Sequence, residues 1–438
     1  MFIGILVSLI IFSVIVLAHE YGHFKTARMF GVKVYEFGLG IPPKAKKLWK
    51  DKKGTEYTLN WLPIGGFVRL KGENYNYFFV YNKDGKLYKQ EELVKVLKSD
   101  TSVYDAKGNK ISKEEREDAL QKIKENSDED NLINKSYIKQ SIVILAGVIM
   151  NFLLAIIIYT ILFTIGVKPI GINDKLDTSL DIKLFPTTQQ ALDNGLLIES
   201  PGVVLFPLTG SLAQTSGIKD GDILLKINDF KIDTATGVQD IISSNIGKEI
   251  SLELKREENT IDLKMQVGEN GKIGTYLVPN IDYNPKFNYK YDLGNSVIIS
   301  VKEVYGESLL TFEALGSLFR KLIAPKTIEE RDDAVNSMSG PVGIVGVVND
   351  ALKGGVSVIV ILACLISINL GVFNLLPIPA LDGGRFLFIT VNAIIRKTIG
   401  KKGISPRIEG IIHLSFFVIF IFLSIIITYN DVLKLINK

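Results

Sequence analysis

Residues 19–23 read His-Glu-Tyr-Gly-His, and two of the chain's three histidines fall there. On a helix, positions i and i+4 share a face, so His19 and His23 can hold one metal ion from the same side. Glu20 sits beside that face, where a carboxylate can take a proton from a water that the ion polarises. Two imidazoles point to zinc, and a catalytic zinc needs a third protein ligand and an open position for water. Two residues far along the chain are candidates for that ligand. Asp382 is followed by Gly383 and Gly384, which permit unusual backbone close to a site. Pro377 and Pro379 stand just before it and break a helix there. His413 is the other candidate. The plainer reading of Asp382 is a helix cap, and that of the first motif is a polar end to a membrane helix. The second is costly, because an unpartnered ionisable group inside a membrane costs about 2.5–3.5 kcal/mol.

Stepping outward, four apolar runs are long enough to cross a hydrocarbon core of roughly 30 Å. They are Phe2 to Ala18 (continuing through His19 to His23), Ile138 to Val167, Ser357 to Leu376 and Ile411 to Tyr429. The first has no basic leader and no small-residue cleavage site after it, which argues against a removed signal peptide. Between Lys25 and Lys53 there are nine Lys/Arg against two acidic residues, and between Arg385 and Arg407 six against none. Both loops belong on the cytosolic side by the positive-inside rule. Residues 168–353 carry 19 basic and 26 acidic residues and suit the outside. The motif, Asp382 and His413 then all lie at the cytosolic end of the spans, at one depth.

The ordered motifs together resemble the site-2 protease family, and within it the regulator of sigma-E protease branch. The residues that carry the resemblance are His19 to His23, Asn374 to Gly384, Ala146 to Asn151 and Ser339 to Ile344. Val148 stands where the family usually has proline after Ala-Gly. The likeness covers nearly the whole chain apart from about residues 74–133. It implies Zn2+ held by His19, His23 and Asp382, with Glu20 as catalytic base. It also implies a substrate-positioning role for Asn374, whose amide both donates and accepts hydrogen bonds. Pro377, Pro379, Gly65 and Gly66 join it as expected substrate-binding residues. Implied substrates are membrane-spanning proteins such as anti-sigma factors or remnant signal peptides.

The expected fold is a polytopic α-helical membrane protein with four transmembrane helices, a re-entrant β-loop region and one extracytoplasmic PDZ domain. The expected segments are 1–24 with the first motif, 25–73 as the β-loop region, and 74–133 as a polar cytosolic insertion. Then come 138–167 as span two, 196–268 as the PDZ domain, and 293–325 as an amphipathic helix outside. Residues 357–384 form span three with the second motif, and 408–430 span four. The PDZ reading rests on Gly210, Gly217, Gly221 and Asp222 and on a period-two run from Glu249. Both termini fall outside, in a bacterial inner membrane. The net charge of +4 and the lack of a basic-aromatic module argue against nucleic acid, and a lone Cys364 excludes an intrachain disulfide. The rival classes are a non-catalytic PDZ-bearing scaffold and a metal-binding or transport protein. Glu20 favours the enzyme, because metal binding alone does not require it.

Overall fold

A computed structural model describes residues 2–72, 80–84, 86, 88, 90–99, 101–105, 108–173, 182–232, 235–269, 271–398, 404 and 406–436. The chain forms two compact units: residues 1–165 with 290–438, and residues 166–289.

In the first unit, α1 runs Phe2–Met29, about a turn and a half past the expected end of the span. Arg28 in its last turn complements the helix dipole, and Gly31 follows with φ +68°. Its buried positions Ser8, Ile11, Ile15, His19 and His23 recur every three or four residues, so the two histidines lie on the face turned to the protein. Next come β1 (Val34–Lys50) and β2 (Glu56–Leu70), which are antiparallel. The first half of β1 pairs on both sides: Gly38 opposes both Thr58 and Phe67. The stretch Gly66–Leu70 is therefore an outer strand with one side turned away from β1.

Of the polar insertion, the described residues contain α2 (Gln90–Lys98) and α3 (Lys113–Ser127), joined by a small core around Leu93, Leu97 and Val103. An Asp105 carboxylate accepts the Asn109 N–H at 2.8 Å, as a turn there requires. Residues 73–79 and Ala106–Lys107 lie outside the described residues. Lys71 anchors the end of this insertion, donating to Asp128 and Asp130 at 2.7 and 2.6 Å. Then α4 (Tyr137–Ile165) forms the hub on which α1 packs.

The second unit holds α5 (Thr188–Asp193), β3 (Leu197–Pro207), α6 (Leu212–Thr215), β4 (Asp222–Ile227), β5 (Phe230–Lys231), α7 (Ala235–Ser243), β6 (Glu249–Arg256), β7 (Asn259–Gln266) and β8 (Thr275–Tyr283). The sheet order is β7-β6-β4-β3-β8 with β5 on β4, and every pairing is antiparallel. Alternate residues Val203, Leu205, Leu224, Leu252 and Leu254 fill its core, as a one-sided sheet demands. Asp222, fully buried, takes a two-pronged pair from Arg256 at 2.7 Å on each oxygen. Burial opposes its charge, yet Arg256 and the Lys219 N–H hold its carboxyl below the usual range. A lowered carboxyl stabilises the fold above its unfolded value, near pH 4, and loses that contribution as the pH falls further. Asp222→Asn should thus lower the melting temperature of this unit by roughly 5–10 °C at pH 7. The gap should shrink at pH 3, as thermal scans at the two pH values would show.

The chain re-enters the first unit with α8 (Leu293–Ile323), α9 (Ile328–Ser337), α10 (Pro341–Lys353), α11 (Val356–Leu375), α12 (Asp382–Thr398) and α13 (Pro406–Ile436). The helices α1, α4, α11 and α13 are long and apolar enough to span a membrane. The helix α8 packs on α4 and α11 with an inverted pattern. It buries Ser296, Ser300, Glu303 and Glu307 while exposing Val297, Ile298, Val301 and Tyr305. Tyr159 of α4 donates to the Glu307 carboxyl at 2.9–3.0 Å. Further along the helix, Leu315 is buried and Phe319 exposed. Span α13 buries no residue of its apolar stretch, but Asp431 near its end accepts the Gly340 and Gly343 N–H groups at 2.8 Å. That carboxylate caps the N-terminus of α10, whose own N-cap Gly340 has no side chain to do so.

Candidate metal centre

Three atoms converge where α1, α4 and the start of α12 meet. The His19 and His23 Nε2 atoms are 3.2 Å apart, and Asp382 Oδ2 lies 3.0 and 3.3 Å from them. Each histidine ring has its other nitrogen engaged. The His23 Nδ1 donates to the Val143 carbonyl at 2.8 Å, which leaves Nε2 as a bare lone pair. The His19 Nδ1 lies 3.3 Å from the Asn151 amide nitrogen, while Asn151 Oδ1 is buried with no partner. A half-turn of the amide cures both defects: Oδ1 then accepts the His19 Nδ1–H, and His19 Nε2 is also bare.

Two lone pairs and a carboxylate oxygen facing one another repel unless a cation sits among them. Asp382 Oδ2 is itself buried without a hydrogen bond. Ligand atoms at 2.0–2.2 Å on a tetrahedral ion stand about 3.3–3.5 Å apart, close to the spacings found. The donor set and its geometry therefore fit a zinc ion. Among the described residues this is the single grouping of three His, Cys, Asp or Glu side chains within reach of one ion.

Glycines make the convergence possible. A Cβ on Gly147 would stand 2.4 Å from His23 Nε2 and 2.6 Å from His19 Nε2. One on Gly22 would stand 2.3 Å from the Ala146 carbonyl oxygen, so α1 and α4 touch backbone to backbone. Cβ atoms on Gly383 and Gly384 would strike the Leu376 and Ile378 carbonyls at 2.2 and 2.3 Å. The chain between α11 and α12 therefore folds tightly back on the start of α12. Ala380 in that loop takes φ +78°, a strained value for a residue with a Cβ.

Glu20 is half-buried and accepts the Val68 N–H at 3.0 Å through Oε2. That N–H belongs to the outer strand Gly66–Leu70 and points away from β1. Gly65 and Gly66 pack on α1, where added Cβ atoms would meet Val16 at 3.1 Å and Leu17 at 2.7 Å. Asn374 is half-buried in the last turn of α11, with no side-chain partner among the described residues. Pro377 is exposed and Pro379 half-buried in the loop that follows. His413, the alternative third ligand, lies apart from the convergence: its Nδ1 accepts the Ala380 N–H at 2.7 Å.

The profile of peptidase family M50 matches residues 7–423. The chain belongs to that family. This M50 peptidase is 26% identical to a zinc metalloprotease RasP of Shouchella clausii, over 98% of this chain and 99% of that protein. It is 27% identical to the regulator of sigma-W protease RasP of Bacillus subtilis, over 99% of this chain and 100% of that protein. The resemblance to site-2 proteases read from the ordered motifs is thereby established, and with it an intramembrane metalloprotease rather than a scaffold.

Val143, Gly147 and Asn151 are the residues that motif reading left without a role. The signal for Gly147 and Asn151 was present in the Ala146–Asn151 stretch, where a glycine and an asparagine interrupt an apolar run. Asn151→Leu should weaken metal binding by about 10–100-fold, the usual effect of removing a partner behind a ligating histidine. Asn151→Asp, which keeps an acceptor, should lose less. Chelator competition on the purified protein measures both.

Proposed function

We propose that this peptidase uses zinc held by His19, His23 and Asp382 to hydrolyse peptide bonds in membrane-spanning protein segments. The observation that carries the reading is the triangle of ligand atoms at 3.0–3.3 Å, formed by two imidazoles and a carboxylate. Zinc, when bound, supplies Lewis-acid polarisation of the scissile carbonyl and makes water more acidic. Glu20 takes the proton from the attacking water and passes it to the leaving amine. The Val68 N–H, donating to Glu20 Oε2 at 3.0 Å, orients that carboxylate beside the metal face.

A substrate helix hides its carbonyls in its own hydrogen bonds, so it must unwind before it can be cut. Two features support an extended pose. The outer strand Gly66–Leu70, placed by Gly65 and Gly66 against α1, can add a substrate strand. The uncommitted Asn374 amide can hold the unwound backbone, beside a loop that Pro377 and Pro379 keep from being helical. Non-helical backbone at this depth is tolerated where it lines a protected cavity.

The setting is a bacterial inner membrane, with the zinc near the cytosolic face and both termini outside; the basic loops support this by the positive-inside rule. Residues 196–268 then act as an extracytoplasmic PDZ domain, a reading supported by the glycine turns and the antiparallel sheet of that unit. The substrates are single-span proteins of the anti-sigma factor type or remnant signal peptides, in keeping with the sigma-W regulator named among the relatives. Purified protein in detergent, given a tagged single-span substrate, tests the activity. Cleavage should vanish with a zinc chelator and return with added zinc. Cleavage indifferent to chelation would overturn the reading.

A further inference from the structure

The loop that delivers Asp382 contains one strained residue, and that residue is held from another span. Ala380 lies at φ +78°, where a side chain is disfavoured, two residues before Asp382. Its N–H donates to His413 Nδ1 at 2.7 Å. An imidazole that accepts through Nδ1 carries its proton on Nε2. Here Nε2 is buried with no hydrogen-bond partner, the Glu409 carboxylate being 3.9 Å away. The Phe388 ring of α12 lies against His413, with centroids 5.3 Å apart, and limits its swing. Among the described residues, the Ala380 bond is thus the single hydrogen bond that the ring makes.

The loop has little slack with which to absorb a change at Ala380. The start of α12 sits against the carbonyls of Leu376 and Ile378 so closely that Gly383 and Gly384 have no room for a Cβ. A shift at Ala380 therefore moves Asp382. We propose that His413 is a positioning residue for the metal centre, holding Ala380 in its strained conformation so that Asp382 meets the histidine pair. Through this bond, the placement of span α13 sets metal affinity, although α13 contributes no ligand. The inference rests on Asp382 being a metal ligand, as proposed above.

The test is zinc affinity of the full-length protein in detergent, by competition with a chromogenic chelator. His413→Ala should weaken zinc binding by about 10–100-fold. His413→Asn, whose amide oxygen falls near the place of Nδ1, should stay within a few-fold of the parent. His413→Gln, similar in size but with its acceptor one bond further out, should behave like His413→Ala. Adding Ala380→Gly to His413→Ala should restore most of the affinity, because glycine takes φ +78° without strain. Parent-like affinity in both His413→Ala and His413→Gln would overturn the proposal. So would an Asn variant as weak as Ala together with no recovery from Ala380→Gly, since that pattern marks a packing role. Asp382→Ala separates the two claims. If it keeps zinc, the ligand assignment fails; if it loses zinc while His413→Ala does not, the inference about His413 alone fails.

Discussion

Glu20→Gln should abolish peptide hydrolysis while leaving the metal in place. Glutamine has the shape of glutamate, and its carbonyl oxygen can still accept the Val68 N–H that Glu20 receives at 3.0 Å. The outer strand and the helix α1 should therefore stay where they are. What is lost is a group able to take a proton from water and return it to the leaving amine. Removing such a base slows a reaction by about 100–10,000-fold, or roughly 3–5 kcal/mol in the barrier. Rates measured on a tagged span, alongside zinc content by mass spectrometry, separate the two effects. Full zinc with no turnover is expected. Normal turnover would remove Glu20 from the mechanism.

A single methyl group at Gly147 should be as damaging, by a different route. Its Cβ would stand 2.4 and 2.6 Å from the two histidine Nε2 atoms, nearer than any real contact allows. The nearest atoms all belong to the His19 and His23 rings, so relief must come from the two imidazoles proposed to hold the metal. Gly147→Ala should lower zinc affinity by at least about 100-fold, beyond the effect of losing one outer partner, and activity with it. Gly346→Ala is the matched control, since nothing lies within 4 Å of a Cβ there. It should bind zinc as the parent does. Equal affinity in the two variants would show that α4 does not approach the histidines as described.

Much of the site could be read from residue types. The five residues from His19 to His23 announce a metal face through helical spacing alone, and α1 carries them intact to Met29. The proposed third ligand was different in kind. Nothing local relates Asp382 to His19, which is 363 positions away, and His413 was equally reachable by topology. The resemblance favoured Asp382, and the folded loop brings its carboxylate to the pair while turning His413 onto Ala380. The supporting layer was less visible. Val143 acts through its backbone carbonyl, which no side-chain pattern betrays. Gly147 matters for what it lacks.

The helix α8 shows the opposite case, a signal present but masked. Ser296, Ser300, Glu303 and Glu307 recur at helical spacing and lie inward, yet the more numerous apolar residues draw attention to the other face. A polar stripe can turn inward when a partner such as Tyr159 satisfies it. Burial, reinforced by Glu303, pushes the Glu307 carboxyl well above its usual range, which favours the neutral acid beside that phenol. The four apolar spans were legible because length and composition alone define them. How they pack was not, because it depends on the few places where glycine lets backbones touch.

X-ray absorption at the zinc edge tests the central claim most directly. Zinc-loaded protein should show two imidazole nitrogens and oxygen ligands at about 2.0–2.2 Å, and Asp382→Ala should lose one oxygen or the metal itself. A coordination shell unchanged by Asp382→Ala, or one with a single imidazole, would contradict the account.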